Sequence, residues 1–161
     1  MTTLCYLERD GAYLMLHRTK KENDMNKDKW LGLGGHFEDR ESPEECIIRE
    51  VYEESGLKLE EPVLRGIITF VNDRYPTEYI FLYTATKFSG TLRDCDEGEL
   101  TWVPKKEICN LPIWEGDQVF FSLLETTDAV FSLKLTYEGE ALRKTELNGK
   151  EILNKSVDND N

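Results

Sequence analysis

Residues 32–57 constrain this chain more than any other segment. Gly32, Gly34 and Gly35 fall within four positions, so the backbone there can approach another group closely or take positive φ. Ser42-Pro43-Glu44-Glu45 follows, in the order that opens a helix. Ser42 suits the N-cap, Pro43 the first helical position, and Glu45 completes a capping box three residues on. The spacing predicts a helix to about Ser55, stopped by Gly56 at the position that favours a left-handed residue. Within it, Glu50, Glu53 and Glu54 stand at i, i+3 and i+4 and share one face. Three carboxylates so close repel one another unless a charge offsets them. Acids at helical spacing are most often a solvated face. A hard divalent cation such as Mg²⁺ or Mn²⁺, which prefers oxygen ligands, is the functional alternative.

The rest of the chain reads as mixed α and β. Residues 3–8 and 12–17 are apolar runs around Asp10-Gly11, a strong hairpin signal. Residues 19–29 form a charged loop. Strands are predicted near 63–71 and 78–87, around a loop with Pro76, and at 100–103 after an acidic loop at 93–99. Short helices follow near 105–109 and 117–125. Phe131, Leu133, Leu135 and Tyr137 alternate as a half-buried strand, which Gly139 turns towards another at 141–147. At 161 residues the chain suits one domain, 1–161, with a polar tail from Asn148 to Asn161 that is expected to fray. Hydrophobic residues at 39% are enough for a core. With 20 Lys and Arg against 32 Asp and Glu, the net charge is −12, which excludes a protein that coats nucleic-acid backbone or lies on an anionic membrane. No apolar run approaches a membrane span, and MTTLCYLERD is no signal peptide. Cys5, Cys46, Cys95 and Cys109 show no metal-finger spacing, so reduced thiols in the cytoplasm are expected.

The order of residues 35–57 changes the weight of the acidic face. Gly35, Glu41, Arg49-Glu50-Val51, Glu53-Glu54 and Gly56-Leu57 fall at the spacing G-x5-E-x7-R-E-U-x-E-E-x-G-U, with U aliphatic. This resembles the Nudix box at every specified position. The resemblance implies an α/β (α+β) Nudix fold, a mixed β-sheet sandwiched between helices with a loop–helix–loop catalytic box. It implies Mg²⁺-dependent (or Mn²⁺-dependent) hydrolysis of a nucleoside diphosphate linked to another group. Carried over, Glu50 and Glu54 are the main metal ligands, Glu53 a further ligand or base, and the carbonyl of Gly34 or Gly35 completes the sphere. Arg49 orients the acids, and Glu41 is structural. The general base is Glu53 or the loop acid Glu97, which is also a candidate ligand. Eight acids and two arginines lie in residues 35–57, so half the net charge sits at the proposed site, and a polyanionic substrate would arrive with cations.

The flanking residues look most like the MutT-type 8-oxo-dGTP diphosphatases and oxidised purine nucleoside triphosphatases. The Lys29-Trp30-Leu31-Gly32-Leu33-Gly34-Gly35 run, the short length, and Leu111 to Asp117 carry that likeness. It implies that Trp114 stacks on a purine and Asp117 bonds its edge, with Arg18 and His36 near the phosphates. Leu31 replaces an Asn of that pattern, Gly116 one of two adjacent acids, and His36 a Lys. Structural roles stay open for Trp114, as a core aromatic, and for His36, on the surface. Trp30 and Trp102 read as packing residues. The expected activity is conversion of an oxidised purine nucleoside triphosphate to monophosphate and pyrophosphate. The alternatives are a Nudix hydrolase of ADP-ribose, a nucleotide sugar or a dinucleoside polyphosphate, and a non-catalytic ligand sensor, for which the intact Glu50, Glu53 and Glu54 would have no use.

Overall fold

The computed structural model describes residues 1–20 and 22–152. β1 (Thr2–Arg9) and β2 (Ala12–Arg18) turn through Asp10 and Gly11, both at positive φ. They pair antiparallel near that turn and then part. β1 runs on parallel to β6 (Glu78–Ala85), while β2 pairs with β3 (Trp30–Leu31) and β8 (Gly98–Pro104). With β5 (Val63–Asn72), β9 (Phe131–Glu138), β10 (Ala141–Leu147) and β11 (Lys150–Ile152), the path reads β11-β10-β9-β5-β6-β1-β2-β3, with β8 on β2.

β1 and β2 are apolar on both faces because both are covered. Cys5, Leu7, Leu14 and Leu16 pack with Ile47 and Val51 of α1 (Pro43–Ser55). Tyr6, Tyr13 and Met15 pack with Phe120, Phe121 and Leu124 of α2 (Asp117–Thr126). The mixed sheet between helices that the sequence implied is therefore what the residues build.

Several boundaries differ from the sequence expectation. The run at 78–87 breaks after Ala85, and β7 (Lys87–Gly90) leaves to pair with β4 (Leu57–Glu60) in a separate ribbon. The helix at 105–109 is a 3₁₀ helix, Lys105–Asn110. The expected fraying from Asn148 is corrected at its start. Asn148 and Gly149, at φ 50° and 84°, form a two-residue turn that pairs Leu147 with Lys150. Asn-Gly is the preferred pair for such a hairpin, so the signal was present but masked by polar composition. Residues 153–161 of that tail lie outside the described residues.

Candidate active site

Helix α1 is held at both ends as its sequence dictates. The Ser42 side chain accepts from the Glu45 amide at 3.1 Å, and the Glu45 carboxylate accepts from the Ser42 amide at 3.2 Å. Gly56, at φ 80°, donates its amide to Tyr52 O at 2.8 Å. Arg93, from the loop before β8, donates to the carbonyls of Tyr52 and Glu53 at 2.8 and 3.0 Å. A cation on the last carbonyls suits the negative end of the helix. Sequence reading passed over Arg93, since nothing local links it to α1.

The glycine run lies against β1. Leu33 and Cys5 exchange backbone hydrogen bonds, and the Thr3 amide donates to Gly35 O at 2.9 Å. A Cβ on Gly34 would fall 1.9 Å from Thr3 O, so only glycine lets the two backbones meet. Gly35 serves the helix instead: a Cβ there would lie 2.5 Å from Cδ of Glu50. The Gly35 carbonyl is thus engaged by Thr3, while the Gly34 amide donates to Oε1 of Glu54 at 2.8 Å.

The acids separate by environment. Glu54 is only 9% exposed. Burial pushes its carboxyl up to about 8, helped by the charges of Glu97 and Glu50 and opposed by the Gly34 amide. Glu50 is also raised, first by burial and then by Glu53 and Glu97, against the pull of Arg49. The Glu53 side chain is 57% exposed. The Glu97 charge thus opposes ionisation of both Glu50 and Glu54, and the three carboxylates form a set of hard oxygen donors that a cation would suit. Among the described residues, no three acids, histidines or cysteines converge tightly enough to hold a metal as they stand.

Two arginines occupy these acids instead. Arg49 makes a bidentate pair with Glu41, at 2.7 and 2.9 Å, and reaches Glu50 at 2.8 Å, Glu53 at 3.2 Å and the His36 carbonyl at 3.1 Å. That pairing, with the Glu38 amide, holds the Glu41 carboxyl down at about 2. Arg18 joins Glu97 at 2.9 Å to Asp24 at 2.6 Å. Arg18, Asp24, Glu22, Asn23, Met25 and Tyr75 line a cavity of about 580 Å³, within the range of small-ligand sites. Arg18 thus connects cavity and acids. The side chain of His36 is exposed.

Trp114 and Asp117 sit apart from that lining. Trp114 is 5% exposed, edge-on to Phe70 and Tyr137, with the Lys29 ammonium 4.8 Å from its ring centroid. Its indole N–H donates to Asn26 Oδ1 at 2.8 Å. It thereby supports the loop that walls the cavity. Asp117 is 7% exposed, its Oδ2 has no hydrogen-bond partner among the described residues, and burial pushes its carboxyl up to about 8. Asp24 and Tyr75 were missed in the sequence, because they reach the cavity only through tertiary contacts.

A family model described as the NUDIX domain matches residues 2–124. An uncharacterized Nudix hydrolase of Bacillus subtilis is 29% identical over 86% of this chain and 87% of its own length. Diphosphoinositol polyphosphate phosphohydrolase 3-alpha of Mus musculus is 38% identical, over 52% of this chain and 49% of its own. The oxidized purine nucleoside triphosphate hydrolase of the same species is 28% identical, over 65% and 67%. Among solved structures, a MutT protein from Bacillus halodurans superposes with a TM-score of 0.81 at 26% identity, covering 92% of this chain and 97% of that one.

Proposed function

Because the chain belongs to the Nudix hydrolase family, we propose that it hydrolyses a nucleoside triphosphate, an oxidised purine such as 8-oxo-dGTP, to monophosphate and pyrophosphate. The observation that carries the reading is the joining of two parts by one residue. Arg18 lies on a ligand-sized cavity and, at 2.9 Å, on Glu97, whose charge acts on the half-buried Glu50 and the buried Glu54.

Glu50 and Glu54, with Glu97 and the Gly34 carbonyl, would hold a divalent cation, Mg²⁺ or Mn²⁺. When bound, such a cation neutralises phosphate oxygens and makes water a better nucleophile. Gly34 fixes Glu54, and Gly35 leaves room for the Glu50 carboxylate. Arg49 keeps Glu50 and Glu53 oriented through its own anchor on Glu41. Glu97 or the exposed Glu53 takes the proton from the attacking water. Arg18, held between Glu97 and Asp24 in the cavity lining, would face the phosphates. His36 is exposed and free to meet a terminal phosphate.

The relatives point to two substrate classes, oxidised purine nucleotides and diphosphoinositol polyphosphates. The cavity lining favours the first. A densely phosphorylated inositol calls for several cations, whereas among the described residues Arg18 is the one cation lining this cavity, beside Glu22 and Asp24. All four cysteines are free, and no described helix is long and apolar enough to cross a membrane. We place the protein in the cytoplasm, as a single domain acting on a small nucleotide rather than a nucleic-acid polymer. The test is product analysis after incubation with Mg²⁺ and 8-oxo-dGTP, dGTP, ADP-ribose, a diadenosine polyphosphate or a diphosphoinositol polyphosphate. The expected result is fastest release of pyrophosphate from 8-oxo-dGTP; faster turnover of any of the last three overturns the assignment.

A further inference from the structure

Two walls of the cavity come from loops far apart in sequence, and one turn holds both. The buried Asn72, ending β5, donates to Gly139 O at 2.7 Å, and the Gly139 amide donates to Asp73 Oδ1 at 2.8 Å. Asn72 Oδ1 also accepts from the Arg74 amide at 2.7 Å, which shapes the chain just before Tyr75. From the same turn, Glu140 bonds Lys29 at 2.6 Å, at the end of the loop that carries Asp24 and Met25. The β9–β10 turn, beyond the stretch matched by the family, therefore ties the loop of Tyr75 to the loop of Met25, both in the lining. Tyr75 is 39% exposed. It is the aromatic side chain in the lining, since Trp114 is enclosed by Phe70, Tyr137 and Lys29.

We propose that Tyr75 is the residue on which the substrate's planar ring stacks, with Met25 as the apolar wall, and that the β9–β10 turn sets their separation. A tyrosine face and a polarisable thioether suit a heteroaromatic ring and offer nothing particular to a saturated polyol. Arg18, in the same lining, puts the phosphate chain of such a ligand on the side of Glu97. This selects nucleosides as the substrate class and rests on the reading of the acids as the hydrolytic site.

The experiment compares wild type, Tyr75→Ala and Tyr75→Phe as full chains. Binding of 8-oxo-dGMP is measured by calorimetry with Mg²⁺, and kcat and KM for 8-oxo-dGTP are measured alongside. Loss of a stacking face should weaken monophosphate binding and raise KM by roughly tenfold in Tyr75→Ala, with kcat within about twofold on the same scale. Tyr75→Phe should bind like wild type, and inhibition by inorganic pyrophosphate should be equal in all three. The proposal is overturned if Tyr75→Ala binds 8-oxo-dGMP as wild type does, if Tyr75→Phe is as weak as Tyr75→Ala, or if pyrophosphate inhibition falls in step. A wild type that binds 8-oxo-dGMP through Tyr75 but turns over no nucleotide would leave this assignment standing and remove the hydrolytic one. Turnover without dependence on Tyr75 would do the reverse.

Discussion

The helix α1 face and the cavity beside it are built by opposite means. Around α1, many restraints are local, Ser42 with Glu45, Arg49 with Glu41 and Glu50, Gly56 with Tyr52, while the Gly34 amide and Arg93 reach it from farther off. Around the cavity, the restraints join distant segments: Arg18 with Glu97, Asn26 with Trp114, Lys29 with Glu140, Asn72 with Gly139. The first arrangement keeps a costly feature, a buried Glu54 beside a half-buried Glu50, in fixed positions. The second leaves the lining other than Arg18 free to change without disturbing the first. Reaction chemistry and substrate choice therefore rest on separable parts of this molecule, and substitutions should separate them.

The largest effect is expected at the buried acid. Glu54→Gln keeps an oxygen for the Gly34 amide and so should fold, but it loses the charge that would hold a cation. The rate of nucleotide hydrolysis with Mg²⁺ should fall at least about 10²-fold, with 8-oxo-dGMP affinity far less affected. Equal losses in rate and nucleotide affinity would break the division between the two regions. The glycines sharpen it further. Gly35→Ala meets the movable end of Glu50, so it should displace a carboxylate at little cost to the fold, lowering the rate by roughly 10- to 100-fold. Gly34→Ala meets the Thr3 backbone and should lower Tm clearly. A thermal scan beside an activity assay decides both, and a destabilised Gly35→Ala with normal specific activity would contradict the assignment.

This difference also explains what could be read in advance. The helix, its two caps and the shared face of Glu50 and Glu54 follow from spacing, because an α-helix repeats locally. That Glu53 faces outward while Glu54 is buried does not follow, since it depends on where β1 and the glycine run lie. Asn148-Gly149 carried its turn in plain form, yet the polar residues around it suggested fraying. The short strands β4 and β7 have meaning only as a pair, and each is too short to announce itself. Tyr75 and Asp24 offered no local signal. Their place in the cavity is set by Asn72, Gly139 and Arg18, and pairing across the fold leaves no period in a sequence.

Asp117 should give a smaller effect, visible as pH dependence. Its carboxyl sits at about 8 in the folded protein because burial disfavours the charge, whereas an unfolded Asp titrates near 3.9. Between those values the folded state holds a proton that the unfolded chain has released. The stability this contributes is complete below about pH 4 and drains away as pH rises towards 8. Glu54 acts in the same direction. In EDTA, the wild-type Tm should thus fall by several degrees from pH 5 to pH 8, and Asp117→Asn should flatten that slope. A slope unchanged by Asp117→Asn would show that the carboxyl is not held neutral. Rate measurements with Mg²⁺ at pH 7 separate this from the acids of α1, which Asp117→Asn should leave intact.

The smallest expected effect tests the claim that the cavity is set at a distance. Glu140 touches neither the acids nor the cavity lining; it holds Lys29 at 2.6 Å from an exposed position. Exposed ion pairs contribute about 0–1 kcal/mol, so Glu140→Ala should hardly move Tm. If the pair sets the spacing of the walls, KM for 8-oxo-dGTP should still rise by roughly two- to fivefold, the reach of that energy, while kcat stays constant. High salt should raise the wild-type KM in the same sense, because it screens an exposed pair, and should add little to Glu140→Ala. Lys29→Ala should do more than Glu140→Ala, since it also uncovers the Trp114 ring that supports the loop through Asn26. A fall in kcat for Glu140→Ala would mean that the turn reaches the acids after all, and the two regions would then have to be treated as one.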